Sequence, residues 1–535
     1  MSVYTLSDLS NHNSDLLQGA SKHSCPICSS GAQTSDSGAE RSAAQASAFS
    51  NSNEIDALLT RSRANPGQPA KWNVAPGGTI TYSFVTADSA TSYFASRNET
   101  NIEEVNDRIK QNVRQILQDN YATVLPLNFV EVPDSAQSNI RIMFSDGVGA
   151  EGYAYAYDPD NLLRGGAIHL QKIHENDPAR AFSSEPGSYG HSTLIHEIAH
   201  AMGLKHPGNY SFSSDRIDNP GQPPYLPFDK DNTRNTIMSY NPQLSISSTS
   251  RNKNPRSLMP YDIRALQYLY GTRSDFNGDN NVYKFDSTNF NTVQTIWDGG
   301  GSSDTLDFSA LPANNVYSLN MNQGKPLTAK SALGDQSYYL QTSQVALGSD
   351  LDRLYTTETF GTYIAFGADI ENLVGSPGND QVLGNELANS ILGSAGIDTI
   401  SGGRQSDSLD GGEGGDYIYG DKGMDLLIGG GGGDLLRGGR ANDTIITGVG
   451  VDGIVLEPDG GTDTIVDFAD GVDWLVLVDG LTFDQLSIVP SGNDTEIRIG
   501  STGQVLALLP GMALSSIGQS DFLISSSTLF TSPNS

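Results

Sequence analysis

The order of hydrophobic and polar residues in the first half of the chain predicts a sheet covered by helices. Residues 79–85 alternate like a strand with one buried face, and residues 127–131, 140–144 and 165–170 are further strand candidates. Segment 99–120 instead carries apolar residues three or four positions apart, which predicts a helix packed on that sheet. Its apolar face comprises Ile102, Val105, Ile109, Val113, Ile116 and Leu117.

A different pattern, with a period of nine residues, begins near residue 375. The apolar members of the series are Val382, Ile391, Ile400, Leu409, Ile418, Leu427, Leu436, Ile445 and Ile454. Each lies two places after an Asp or Asn, and glycines from Gly375 to Gly438 keep the same step. Nine residues suffice for one short strand and one turn, so the pattern predicts stacked strands with a thin apolar core.

The two ends of the first globular region are less regular. Residues 1 to about 65 are rich in Ser, Ala, Asn and Gln, which predicts a mobile extension that we interpret as a propeptide. Segment 259–271 has the apolar spacing of a helix, so we expect this region to end near residue 272.

Composition restricts the partners of the chain. The 62 acidic residues exceed the 31 basic ones, and the resulting net charge of −31 argues against nucleic acid and anionic membranes as partners. No stretch approaches the roughly 18 apolar residues of a membrane-spanning helix. The first residues lack the basic and apolar regions of a Sec signal peptide, so we expect export, if it occurs, to use another signal.

Segment 196–207, with the sequence HEIAHAMGLKHP, has the spacing of a catalytic zinc site. His196 and His200 are four residues apart and share one helix face, where both imidazoles can bind one Zn²⁺. Glu197 can act as a general base toward a water activated by the metal. Gly203 permits the backbone to leave the helix so that His206 becomes the third ligand. The pattern therefore predicts a zinc metalloprotease.

This segment resembles the H-E-x-x-H-x-x-G-x-x-H signature of the metzincins, and segment 236–240, TIMSY, resembles the Met-turn of the serralysin family. The resemblance covers about residues 70–525. It implies that Met238 forms an apolar floor beneath the zinc. It also implies that Tyr240 is a displaceable zinc ligand that hydrogen-bonds the developing oxyanion during catalysis. Strand 165–170 resembles the edge strand along which metzincins bind extended substrates.

The nine-residue pattern resembles the G-G-x-G-x-D-x-U-x repeat of RTX proteins. The resemblance implies a parallel β-roll in which aspartate carboxylates and glycine carbonyls bind Ca²⁺ between successive turns. Without calcium, we expect repulsion between the carboxylates to keep the array unfolded. The expected ligands in the repeats are Gly378, Asp380, Gly396, Asp398, Gly403, Asp407, Gly412, Gly414, Asp416, Asp421, Gly423, Asp425, Gly430, Gly432, Asp434, Gly439 and Asp443.

Two segments ahead of the repeats also resemble serralysin sequences. Segment 297–308, WDGGGSSDTLDF, resembles a family calcium segment with one residue inserted, and it implies Asp298, Gly300 and Asp304 as ligands. Segment 366–372 resembles the lead-in to the roll and implies Glu371 as a further ligand.

The only cysteines, Cys25 and Cys28, lie in the predicted propeptide. A thiolate from this pair is a good Zn²⁺ ligand and could displace the catalytic water, which would make the pair a latency switch. A short-range redox pair and two incidental thiols are the alternatives.

Together these features predict a multidomain protein. We expect an α/β metzincin catalytic domain with a twisted mixed sheet and a zinc helix, a calcium-binding parallel β-roll, and a C-terminal β region. The expected boundaries are a propeptide at 1–65, a protease domain at 66–272, a β-sandwich-like segment at 273–374, the roll at 375–456, and a C-terminal region with a type I secretion signal at 457–535.

The predicted function is that of a secreted, monomeric zinc endopeptidase of serralysin type, with one catalytic Zn²⁺ and several structural Ca²⁺. Its expected partners are protein substrates and a type I secretion machinery, without nucleic acid or membrane insertion. The first alternative is a non-catalytic RTX adhesin or surface protein with a metzincin-like domain, which the intact Glu197 disfavours. An RTX lipase is a second alternative, but the chain contains no G-x-S-x-G segment.

Overall fold

The computed structural model describes residues 50, 52–62, 65, 67–90, 101–146, 154–156, 158–159, 165–208, 225–227, 230–241, 254–290, 292–331, 339–340, 355–356, 358–525 and 532. The chain forms two compact units. One comprises residues 1–241 and 265–271, and the other comprises residues 242–264 and 272–535.

The first unit contains a five-stranded mixed sheet. Its strands are β1 (Thr79–Phe84), β2 (Asn128–Glu131), β3 (Ile140–Phe144), β4 (Ala154–Ala156) and β5 (Ala167–Leu170). Their order is β2-β1-β3-β5-β4, and all neighbours are parallel except the antiparallel pair β4 and β5. Strands β1 and β3 are rich in buried apolar residues, in keeping with their interior position in the sheet.

The expectation that strand 165–170 forms the edge of this sheet is wrong. β5 lies between β3 and β4, and Tyr155 of β4 pairs with His169 of β5. The edge strand is therefore the three-residue β4. Its brevity explains the error, because three residues are too few for an alternating pattern to emerge.

Among the described residues, the α-helices are α1 (Asn53–Asp56), α2 (Ala87–Ala90), α3 (Asp107–Ile116), α4 (Tyr189–Ala201) and α5 (Pro260–Tyr270). A π-helical turn, Leu117–Tyr121, continues α3, and Lys172–Asn176 is a 3₁₀ helix.

The predicted helix 99–120 begins later than expected. Asn106 is the N-cap of α3 because its side chain accepts a hydrogen bond from the Ile109 N–H at 2.9 Å. Glu103 instead exchanges two backbone hydrogen bonds with Phe144. Ile102 and Val105 therefore precede the helix, since pairing with the sheet holds this part of the chain in an extended conformation.

The predicted mobile extension also ends earlier than residue 65. Residues 52–62 contain α1 and the fully buried side chains of Ala57, Leu58 and Leu59. The Ala70 N–H donates to the Thr60 carbonyl at 2.8 Å, which closes this segment against the chain that follows it. Apolar burial and backbone pairing therefore hold a segment that its composition made appear mobile. Residues 1–49 lie outside the described part of the chain.

The second unit is built from short strands and contains two 11-stranded sheets and one two-stranded sheet among its described residues. Its strands are β6 (Val282–Asp286), β7 (Gln294–Ile296), β8 (Thr305–Ala310), β9 (Asn315–Asn320), β10 (Pro326–Ser331), β11 (Tyr339–Leu340), β12 (Tyr355–Thr356), β13 (Glu358–Ile364), β14 (Asn372–Val374), β15 (Asn379–Leu383), β16 (Ser390–Leu392), β17 (Thr399–Arg404), β18 (Ser408–Gly414), β19 (Tyr417–Lys422), β20 (Leu426–Gly432), β21 (Leu435–Arg437), β22 (Thr444–Gly450), β23 (Gly453–Leu456), β24 (Asp463–Ile465), β25 (Trp474–Leu477), β26 (Leu486–Ser491), β27 (Asp494–Ile499), β28 (Val505–Leu509) and β29 (Phe522–Ile524).

Successive strands of the repeat region alternate between the two large sheets. One sheet has the order β29-β25-β23-β21-β19-β17-β15-β9-β10-β13-β7, and the other has the order β26-β27-β28-β24-β22-β20-β18-β16-β14-β8-β6. Within a sheet, neighbours pair in parallel at a distance of two repeats, as Ile400 does with Ile418 and Leu409 with Leu427. All nine apolar residues of the repeat series are buried to 2% exposure or less.

After the repeats, β26, β27 and β28 form an antiparallel meander, and three short 3₁₀ helices connect the remaining elements. Those helices are Phe483–Gln485, Leu514–Ser516 and Gln519–Asp521. The strands agree with the expected C-terminal β region. Among the described residues, no helix has both the length and the apolar character needed to cross a membrane.

Candidate metal centres

The first candidate centre is built on α4 and the turn that follows it. The Ser188 hydroxyl caps the start of α4 by accepting from the His191 N–H at 3.2 Å. The chain leaves the helix at Gly203, whose φ is +105°. A Cβ there would lie 2.3 Å from the Ala70 carbonyl oxygen, so only glycine fits this turn. The turn brings His206 back toward α4.

The three histidines of this segment converge on one point. The Nε2 atom of His206 lies 3.1 Å from Nε2 of His196 and 3.1 Å from Nε2 of His200. His196 Nδ1 lies 2.8 Å from the Ile237 carbonyl, and His200 Nδ1 lies 2.8 Å from the Leu204 carbonyl. A carbonyl can only accept, so these Nδ1 atoms carry the protons and the Nε2 atoms present lone pairs.

Such an arrangement suits a metal ion. Two nitrogens bound to zinc at about 2.1 Å in tetrahedral geometry lie about 3.4 Å apart, close to the separations found here. Burial lowers the pKa of His196 to about 4 and that of His200 to about 3, and it holds the pKa of His206 well below its usual value. The imidazoles are therefore neutral at pH 7, as metal binding requires. The donor set fits Zn²⁺, with backbone carbonyls orienting two of the ligands.

Glu197 follows His196 on α4 and is only 3% exposed. The pKa of Tyr189 is raised to about 12, chiefly by burial; Arg180 opposes the rise, and the charge of Glu197 contributes to it. The Glu197 carboxylate therefore lies close enough to Tyr189 to act on it electrostatically, on the same helix as two of the ligands.

The predicted Met-turn lies beside the histidines. Met238 is fully buried, and the Ile237 carbonyl before it is the group that orients His196. The centre of the Tyr240 ring lies 4.2 Å from that of His206 and 6.1 Å from that of His196. The turn thus brings together a methionine, a tyrosine and two of the three histidines.

A hydrogen-bond network supports this turn from behind. The Ser239 hydroxyl donates to the Asp231 carboxylate at 2.6 Å, and the Asn241 side chain donates to the Asp231 carbonyl at 2.9 Å. Asp231 is 5% exposed. Asp231 lies outside the zinc-binding and Met-turn motifs, so the sequence analysis did not identify it.

In the second unit, three predicted calcium ligands lie together. The Asp304 N–H donates to Glu371 at 2.8 Å, and both Asp298 and Asp304 are 1% exposed. The pKa of Asp298 is raised to about 6, chiefly by burial, and the charges of Asp304 and Glu371 contribute to the rise. The Gly300 N–H donates to Asp298 at 3.1 Å. A divalent cation would neutralise this group of carboxylates.

The repeat aspartates form a regular ladder. One carboxylate oxygen of each accepts a hydrogen bond from the backbone N–H located 18 residues earlier, as Asp416 does from Asp398 and Asp425 does from Asp407, at 2.8 Å. The second oxygen is buried and has no hydrogen-bond partner within the described structure at Asp398, Asp407, Asp416, Asp425, Asp434, Asp443 and Asp452. Such orphaned anionic oxygens need a partner, and Ca²⁺ is the cation that carboxylates and carbonyls favour at such turns.

Glycines bring the turns of the array close together. Gly414 and Gly432 have φ of +153° and +145°. A Cβ on Gly432 would lie 1.2 Å from the Gly414 carbonyl oxygen, and one on Gly414 would lie 1.6 Å from that of Gly396. Side chains are therefore excluded where successive turns stack. The other predicted glycine ligands Gly403, Gly412, Gly423, Gly430 and Gly439 also have positive φ, as does Gly396, whereas Gly378 does not.

Two positions of the repeat series, Asp380 and Asn389, and the predicted ligand Asp421 differ from this pattern. Both oxygens of the Asp380 carboxylate accept from Ser376, at 2.6 and 2.9 Å. The Asn389 side chain donates to the Glu371 carbonyl and accepts from the Asn385 N–H. The Asp421 carboxylate accepts from the Ser532 hydroxyl at 3.0 Å. These side chains are engaged within the protein, so they lack the orphaned oxygens of the regular repeats.

The ladder continues beyond the residues that the period of nine identified. Asp443 N–H donates to Asp463 at 3.1 Å and Asp452 N–H donates to Asp473 at 3.2 Å, over 20 and 21 residues. These separations are longer than the 18 residues of the regular repeats, so the fixed period of nine did not identify Asp463 and Asp473. A signal is nevertheless present, because each is followed two places later by an apolar residue, as in the repeats.

The predicted latency cysteines, Cys25 and Cys28, lie outside the described residues. The structure therefore leaves their three interpretations as they stood.

Comparison with known families agrees with both centres. Residues 86–212 match the profile of the family described as matrixin. Residues 383–418, 392–427 and 419–454 match that of the RTX calcium-binding nonapeptide repeat. The first match contains the histidine site, and the second contains the aspartate ladder.

Three individual proteins with similar sequences are, by name, two serralysins and a metalloprotease. The chain is 29% identical over 285 residues to a serralysin of Photorhabdus luminescens, a match that covers 51% of each protein. It is 29% identical over 334 residues to the metalloprotease AprA of Pseudomonas entomophila, covering 58% of the chain and 60% of the relative. A serralysin of Proteus mirabilis is 28% identical over 353 residues, covering 61% of each.

The matches to these relatives thus span about half to three-fifths of their length. They confirm the resemblance to serralysins that the motifs predicted, and with the histidine triad they support zinc and calcium as the metals of the two centres. Residues 86–212 of the chain are thus similar to a matrixin domain, and the repeats between residues 383 and 454 are similar to RTX calcium-binding nonapeptides.

Proposed function

We propose that this chain is a secreted, zinc-dependent endopeptidase of serralysin type that hydrolyses peptide bonds in proteins. The observation that carries the proposal is the convergence of three histidine Nε2 atoms beside the buried Glu197. The matrixin match over residues 86–212 supports it. A metal-binding site alone would also suit a binding protein, but a buried carboxylate next to the ligands is the feature that peptide hydrolysis requires.

Zinc, when bound, lowers the pKa of a water and polarises the scissile carbonyl. His196, His200 and His206 would hold the ion through their Nε2 atoms. Glu197 would take the proton from the attacking water and then donate it to the leaving amine. Its position one residue after His196 places it on the helix that carries two ligands, so its distance from the reacting atoms is set by that helix.

Tyr240 would stabilise the charge that develops on the carbonyl oxygen. Its ring packs beside His206, and its hydroxyl is a donor suited to an oxyanion. In the resting site the same hydroxyl would be a further zinc ligand, as the resemblance implies, and Met238 would form the apolar floor.

The substrate would bind along the edge of the sheet. β4 pairs with β5 on one side, and it is the last strand of the sheet on the other. An extended peptide could add to it by backbone hydrogen bonds, a mode of recognition that tolerates many sequences.

The second unit would be a parallel β-roll held together by calcium. The expected ligands are the orphaned aspartate oxygens and the carbonyls of the stacked glycine turns, with Asp298, Gly300, Asp304 and Glu371 forming a separate site. Residues 457–535 would carry the signal for type I export. The N-terminal region, including Cys25 and Cys28, would be a propeptide that keeps the enzyme latent.

Replacement of Glu197 by Gln is expected to lower kcat for casein about 1000-fold, because an amide cannot accept the proton. Zinc content should remain near one per chain, since the three histidines are unchanged. Glu185→Gln is the matched control, because the Glu185 side chain is 80% exposed, and it should behave as wild type.

The result decides between an enzyme and a binding protein. A wild-type protein that is loaded with zinc and calcium, freed of its N-terminal extension and still inactive on casein would contradict the proposal. It would favour the RTX adhesin or surface protein instead.

Tyr240→Phe removes a hydroxyl and keeps the ring that packs on His206. We expect kcat to fall about 100-fold while KM changes little, because the lost interaction forms with the developing oxyanion. Zinc affinity should fall only modestly, because the three histidine ligands remain while the ligand of the resting site is lost. Steady-state kinetics on a fluorogenic peptide measures both constants, and an unaltered kcat would remove Tyr240 from the mechanism.

Stability of the repeat array without calcium should depend on pH in an unusual direction. Burial raises the pKa of Asp398 and Asp425 to about 8 and that of Asp407 to about 7. A raised folded pKa means that stability is greatest below the unfolded pKa of about 4 and is lost as pH rises through 7 to 8. In a calcium chelator the array should therefore be more protected from hydrogen exchange at pH 5 than at pH 8.

Calcium should reverse this dependence, because it replaces the protons on the same oxygens and binds better when they are ionised. Hydrogen exchange of residues 398–452 at both pH values, with and without calcium, makes the comparison. Equal protection at pH 5 and pH 8 in chelator would show that the buried carboxylates do not control folding of the array.

A further inference from the structure

A short N-terminal segment, residues 57–60, pairs with the turn that carries the third histidine. Leu59 and Leu204 form an antiparallel bridge, and the Thr60 N–H donates to the Gly203 carbonyl at 3.0 Å. The Leu204 carbonyl is the group that orients His200, at 2.8 Å from Nδ1. The segment therefore contacts Leu204, whose carbonyl positions the zinc ligand His200.

The same segment also binds Lys205, the residue that follows Leu204. The Lys205 N–H donates to the Leu58 carbonyl at 2.7 Å, and the Lys205 ammonium donates to the Ala57 carbonyl at 2.8 Å. His206 is the next residue in the chain. The backbone on both sides of Leu204 is thus fixed just before the third ligand.

Residues 57–59 of the segment are part of the interior of the first unit. Ala57, Leu58 and Leu59 are 0% exposed. Glu54 forms an ion pair with Lys230 at 2.6 Å, and the Asn53 side chain donates to the Tyr225 carbonyl at 3.2 Å. Removing the segment would expose the apolar surface that it covers and leave two backbone groups of the turn, the Gly203 carbonyl and the Lys205 N–H, without their partners.

We propose that residues 57–60 are a positioning segment for the zinc ligands His200 and His206 and that they are retained in the active enzyme. The inference rests on the proposed function for the identity of the metal. Because the segment brackets Leu204 on both sides, losing it would free the His200 and His206 imidazoles to move apart and weaken the zinc site. An activating cleavage must therefore fall before Asn53 rather than near residue 65.

Thr60→Pro tests the segment, because proline lacks the N–H that donates to Gly203, and Thr60→Ala is the matched control that keeps it. We expect the zinc dissociation constant of the full chain, measured by competition with a chromophoric chelator, to rise about tenfold in Thr60→Pro. It should be unchanged in Thr60→Ala. Equal zinc affinity in two folded variants would overturn the proposal.

Lys205→Met is the second test if Thr60→Pro does not fold, since methionine preserves the buried stem and removes the ammonium with its bonds to the Ala57 and His206 carbonyls. Weaker zinc binding than wild type supports the positioning role, and unchanged binding contradicts it. N-terminal sequencing of active protein is a further test, and a mature form that begins after Leu59 with full zinc affinity would also overturn the proposal. Zinc affinity is measured without substrate, so a failure of the peptidase function would remain distinguishable.

Discussion

The convergence of three imidazole Nε2 atoms on one site is the constraint on which the first unit depends. Hydrogen bonds from Nδ1 to the carbonyls of Ile237 and Leu204 fix two of the rings, and they determine which nitrogen faces the others. Nε2 of His206 lies 3.1 Å from Nε2 of both His196 and His200, a spacing that allows one cation to bind all three nitrogens. The two carbonyls belong to the Met-turn and to the turn after α4, so two separate loops must be placed correctly before the site exists.

The repeat array follows a related principle with carboxylates. Each regular aspartate uses one oxygen to bind the backbone of the preceding coil, and its other oxygen is buried without a hydrogen-bond partner in the described structure. The hydrogen bond of the first oxygen fixes the register between coils. The second oxygen, which is buried without a hydrogen-bond partner in the described structure, is the expected ligand for a cation. Folding and calcium binding are therefore expected to be coupled, because without calcium the array at neutral pH must either take up protons or bury uncompensated charge.

The sequence predicted those features that depend on local spacing. The histidines at 196 and 200, the glycine at 203 and the apolar series of the repeats all follow from helix geometry or from a fixed period. Features that depend on pairing between distant segments were missed or misplaced. These include the edge position of β4, the start of α3 at Asp107, the burial of residues 57–59, and the extension of the aspartate ladder to Asp463 and Asp473.

Anomalous diffraction at the zinc absorption edge, on crystals of the calcium-loaded protein, tests the central claim most directly. The account predicts a single strong peak in the first unit, about 2.1 Å from the Nε2 atoms of His196, His200 and His206. A zinc ion bound elsewhere, or one held by fewer than these three nitrogens, would contradict it.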